Sequence, residues 1–70
     1  MKYLVVIEEV QGSVGAYVPD LPGCVAAGSN RDETLVLMHE AIELHTEDLR
    51  AQGLPVPAPH SSGELVDVPA

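Results

Sequence analysis

Basic side chains are almost missing from this sequence: Lys2, Arg31 and Arg50 stand against eleven Asp and Glu, a net charge of −8 over 70 residues. Nucleic-acid binding draws its affinity from clustered Lys and Arg that displace counterions from phosphates, so no direct nucleic-acid binding is expected. A basic partner fits better, because opposite charge speeds encounter and selects among partners; a surface made acidic only for solubility would have the same balance. Cysteine is equally scarce. Cys24 stands alone, which excludes an internal disulfide and suits a reducing compartment. Long apolar runs are absent as well. The run that follows Lys2 is closed by Glu8 and Glu9, far short of a signal peptide's hydrophobic region with its cleavage site or of the roughly 20 residues of a membrane span. A cytoplasmic protein with no membrane contact is expected. Domains below about 70–80 residues usually need disulfides, a metal or self-association to supplement a small core. With no disulfide and no dense Cys, His and carboxylate cluster, self-association is the device left, so at least a dimer is expected.

What is present reads as one small α+β unit spanning 1–70. Residues 2–9, KYLVVIEE, place Tyr3, Val5 and Ile7 on one face of a strand and Leu4 and Val6 on the other, and apolar residues on both faces predict a central strand. A turn at QGS leads to a second strand alternating Val14, Ala16 and Val18, which ends near Val18 because Pro19 has no amide to donate. LPG at 21–23 predicts a turn with Pro22 at its second position and Gly23 at positive φ, followed by a short strand of small residues, CVAAGS. Asn30 is the expected helix cap, with Glu33 three residues on. The helix should run to about Gln52 and close at Gly53 and Leu54 in a Schellman motif. Leu35, Met38, Ile42, His45 and Leu49 form the stripe expected to face the sheet. Glu40, Glu43, Glu47 and Arg50 fill the opposite arc, with Leu37, Ala41 and Leu44 to one side. Leu37 and Leu44 are expected to be covered by the sheet edge or returning tail, or else this flank is an interface with another chain. Residues 54–63 form a proline-rich connection, extended because each proline bars the helical conformation from the residue before it. ELVDV at 64–68 reads as a closing strand that rejoins the sheet edge or pairs with a neighbouring molecule. The predicted order is β-β-β-α-β, an antiparallel sheet with one helix on one face.

Reactive chemistry finds little support. Cys24 with His39, His45 or His60 is the sole nucleophile-and-base pairing available, and no cation near Cys24 in sequence would stabilise a thiolate, so a packing role is the default. His39 and His45 are six apart and share no helix face. Glu43 and Glu47 have i, i+4 spacing but lie on a solvated arc. Glu8, Asp20 and Asp67 would have to converge to serve a two-metal nuclease, and their places at strand ends and in a turn argue against it. GSNRDET lacks the glycines and lysine of a phosphate loop.

The order of YVPDLPGCVAAG, the cap SNRDET, the helix LVLMHEAIELHTEDLRAQG and the segment LPVPAP resembles the HicB-type antitoxins of toxin–antitoxin pairs. The resemblance covers Lys2 to Pro59, and ELVDVPA is similar to that family's closing strand. It implies a partial RNase-H-like fold without catalytic acids, and a protein that binds and silences a small basic toxin, a HicA-like ribonuclease that cleaves messenger RNA. It also implies a homodimer or homotetramer. Many members carry a C-terminal DNA-binding segment, whereas this sequence stops at Ala70 as a short form, so operator binding is not expected. Leu37, Glu40, Ala41, Leu44, Glu47, Leu65 and Asp67 are the expected partner or oligomer surface. No catalytic residue, cofactor or metal is expected. The alternative is a stand-alone oligomeric regulatory or small-ligand-binding protein with no toxin partner.

Overall fold

The computed structural model describes residues 1–69. Three strands, β1 (Val6–Val10), β2 (Ser13–Tyr17) and β3 (Val25–Gly28), are followed by one helix, α1 (Arg31–Ala51). The sheet is antiparallel in the order β1-β2-β3. Val6 pairs with Tyr17 and Val10 with Ser13, while Val14 pairs with Gly28 and Tyr17 with Val25. The α+β class and the order of these four elements agree with the sequence.

Two expectations are corrected. β1 is an edge strand and β2 the central one. Pairing with β2 starts only at Val6, because its partner Tyr17 is the last residue of β2, one residue short of the Val18–Pro19 turn; Lys2–Val5 therefore run beyond the ladder. The closing strand is not formed within the chain: residues 54–69 are neither helix nor strand. Among the described residues, no backbone hydrogen bond joins residues 1–10 to residues 54–69.

The turn VPDLPGC organises the interior. Leu21 N–H donates to Val18 O and Cys24 N–H to Leu21 O, two successive tight turns, and Val18 N–H closes the loop on Cys24 O at 3.2 Å. Gly23, at φ 82°, takes the left-handed position that the second turn requires. This geometry drives Leu21 into full burial, where it joins Ala16, Val18, Cys24 and Met38 in the core. Tyr3, Val5, Ile7, Ala26, Ala41 and Ile42 pack around that cluster.

α1 lies across β2 and β3. Its start is fixed by Asn30 Oδ1, which accepts the Glu33 amide at 2.8 Å. The Glu33 carboxylate turns to the Ser29 hydroxyl (2.7 Å), so the cap is completed one residue earlier than a standard capping box would do it. At the other end Gly53 N–H donates to Arg50 O and Leu54 N–H to Leu49 O. That is the predicted Schellman pattern, with Gly53 at φ 72°. Gly28 lets the helix come close: a Cβ there would lie 2.7 Å from Thr34 Oγ1. Thr34 is itself fully buried, and its hydroxyl bonds to Val14 O and Asn30 O.

Candidate functional site

Cys24 is buried in the core, and burial pushes its thiol up from the usual value. No imidazole activates it. His39 Nε2 lies 2.8 Å from Glu43 Oε1 on the exposed side of α1, and the His60 ring meets Ala58 O and Asp20 Oδ1. His45 is half-buried within the helix stripe. The three acids considered for a metal pair are dispersed in character as well as place. Glu8 borders the uncovered sheet face, Asp20 is sequestered, and Asp67 is exposed in the tail.

Asp20 does have a function, and a structural one. Its carboxylate accepts from the Ser61 hydroxyl at 2.6 Å, the Ser61 amide at 2.9 Å and the His60 amide at 2.8 Å, with His60 Nε2 at 3.2 Å. Those bonds, led by the Ser61 hydroxyl, hold the carboxyl down to about 2 even though burial opposes ionisation. The turn after β2 is thereby tied to the connection that follows α1. A second tie runs from the Tyr3 hydroxyl to Pro57 O. Sequence reading missed this clamp because its partners lie 40 and 41 residues apart, and a lone Asp in a turn carries no local sign of them.

The helix presents two different faces. Met38 and Thr34 are buried, while Ile42, His45 and Leu49 are half-buried, so the predicted stripe does meet the sheet; Leu35 lies at its exposed margin. Ala41, expected at an interface, is half-buried and packs toward the core cluster. Cover of Leu44 by the sheet edge or the tail is overturned: Leu44 is 66% exposed. At about 100° per residue, Val36, Leu37, Glu40, Leu44 and Glu47 share one outward arc of α1, and all five are exposed. Val36 was not anticipated there, though its position in the helical period would have placed it. The ridge is thus apolar at its flanks and acidic along its middle.

Two concavities lie elsewhere. One, of about 450 Å³, opens between residues 1–5 and α1 and is floored by Tyr3, Val5, Met38 and Ile42. The other, of about 480 Å³, lies on the face of the sheet away from α1, over Gly15 and Ala27 and between Tyr17 and Val25. Leu65 and Asp67, the remaining expected contact residues, are exposed in the tail.

The family model described as the HicB-like antitoxin of bacterial toxin–antitoxin systems matches residues 3–70. This chain belongs to the HicB-like antitoxin family. Among curated proteins, it is 45% identical over 49 residues to a UPF0150 protein of Helicobacter pylori strain J99, covering 70% of this chain and 68% of that one. It is 41% identical over 56 residues to UPF0150 protein ssr1765 of Synechocystis, covering 79% and 71%. A 14.9 kDa protein from the rep-hol intergenic region of Haemophilus phage HP1 is 30% identical over 69 residues; that alignment takes in 99% of this chain but only 52% of the phage protein. No solved structure matches. No helix among the described residues is long and apolar enough to cross a membrane.

Proposed function

We propose that this HicB-like chain neutralises a small, basic, mRNA-cleaving toxin of the HicA kind by covering it, without turnover of its own. The observation that carries the reading is the outward ridge of α1. Val36, Leu37 and Leu44 supply apolar contact around Glu40 and Glu47. A ribonuclease surface built to hold phosphates is cationic, and carboxylates set in an apolar frame satisfy the same charges while excluding water. Family membership supports an antitoxin role, and the net charge of −8 supports a basic partner. The chain's one thiol is buried and has no base beside it, which favours a binding role over a catalytic one. We place this activity in the cytoplasm, where messenger RNA is cleaved, and in a homodimer or homotetramer that makes no direct contact with nucleic acid.

The test is co-expression with a small basic HicA-like ribonuclease, scored by growth. The wild-type chain should restore growth. Glu40→Lys with Glu47→Lys should abolish rescue while the variant stays folded and abundant, since both side chains are exposed. Unimpaired rescue by the folded double variant would remove the ridge from the toxin interface.

A further inference from the structure

We propose that the tail ELVDV, residues 64–68, is a donated strand that pairs with the outer edge of residues 3–7 in a second copy of this chain, and that the second copy returns its own tail to the first. The inference concerns contact of the chain with itself and stands whether or not a toxin is bound.

Two unpaired features of the same molecule complement each other. The first is the N-terminal strand. Tyr3, Val5 and Ile7 face the helix side and pack toward the core, Leu4 and Val6 are half-buried on the other side, and yet β1 is at the edge of the sheet with no strand beyond it among the described residues. Apolar residues on both faces suit a strand with neighbours on both sides. An uncovered edge of that kind is a template for another chain. The second feature is the tail. Leu65 is 101% exposed, and Val66 and Val68 are 76% and 79% exposed; a leucine in that state touches nothing of its own chain. Such exposure is not that of a loosely tethered end, because the Asp20 clamp fixes residues 60 and 61, and Gly63 passes beside the Leu4 side chain. The tail is therefore launched from an anchored point next to the edge it is suited to join. Residues 1–10 nevertheless meet residues 57–63 through side chains rather than through a backbone ladder.

Overall dimensions agree. The radius of gyration is 13.8 Å, with extents of 49 × 26 × 16 Å, against about 11 Å for a compact chain of this length. An exchanged strand suits a closed, two-fold arrangement, in which each contact is made twice. Charge fixes the choice of edge residues. Glu64 and Asp67 would meet like charges opposite Glu8 and Glu9, whereas Tyr3–Ile7 carries no charge. Alternation along the tail then puts Leu65 on one face and Val66 with Val68 on the other. On the helix side, the added strand extends the wall of the groove floored by Tyr3 and Val5.

Light scattering on the full chain, paired with amide hydrogen exchange, tests the proposal. The chain should run as a dimer or larger at micromolar concentration. Val66→Pro, which removes a ladder donor, should raise the dissociation constant at least tenfold, with the helical circular dichroism retained. Amides of residues 65–68 should be protected in the dimer and lose protection on dilution. Raising the salt should tighten self-association, because it screens repulsion between chains of like charge; it should weaken a complex with a basic toxin, so the two kinds of binding are read apart. A monomeric wild-type chain, an oligomer untouched by Val66→Pro, or tail protection independent of concentration would overturn the proposal, the last by showing that the tail rejoins its own sheet.

Discussion

Asp20 illustrates how a charged side chain is accommodated in so small an interior. The carboxylate is almost fully shielded, yet both oxygens are used, with the Ser61 hydroxyl as the strongest partner. Because folding lowers this carboxyl from 3.8 to about 2, the unfolded chain takes up its proton first as pH falls. The contribution to stability is complete above about pH 4 and is lost as pH drops toward 2. Chemical denaturation of wild type and Asp20→Asn between pH 6 and pH 2 should give a higher midpoint for wild type at the upper end and converging midpoints at the lower. Gly28 is the other single residue on which the architecture turns. An alanine methyl there would meet both Thr34 Oγ1 and, at 3.2 Å, the Thr34 backbone nitrogen. The backbone of the helix start cannot swing aside as a flexible side chain would, so Gly28→Ala should cost about 1–3 kcal/mol, the usual range for overpacking. Thermal melting checks it; an unchanged melting temperature would show that α1 does not need the close approach.

Among the elements, α1 serves two masters. One face is committed to the sheet by Met38 and Thr34, and the other is exposed. Leu37→Glu with Leu44→Glu should therefore leave helicity unchanged and alter stability by no more than about 1 kcal/mol, as for two exposed positions, while toxin binding falls sharply. Calorimetric titration beside circular dichroism separates these effects. The helix was also the element most legible in the sequence. Asn30, Gly53 and the stripe through Met38 and Ile42 are local signals, and each was realised. Ala41 and Leu44 were not separable in the same way. Which flank of an amphipathic stripe meets the sheet depends on the rotation of the helix, and that rotation is set by the Gly28–Thr34 contact, a tertiary feature with no sequence period. The strands tell a similar story. Their existence follows from β-branched residues and turn signals, but apolar residues on both faces of β1 do not say whether a strand lies beyond it, and among the described residues none does.

The whole molecule is a thin α+β body with much of its apolar surface directed outward: along the α1 ridge, over Tyr17 and Val25 on the open sheet face, and down the tail. Composition points to a basic partner, since eleven acids and three bases constrain partners without reference to fold. The Asp20 clamp that aims the tail was illegible, because it joins the post-β2 turn to a proline-rich connection across the entire helix. The most direct measurement is ribonuclease activity of a small basic HicA-like toxin on messenger RNA, titrated with the purified chain at physiological salt. Cleavage should fall to zero at a fixed whole-number ratio of the two proteins, with the chain recovered unaltered and in complex with the toxin. Undiminished cleavage at several-fold excess of folded chain would contradict the account.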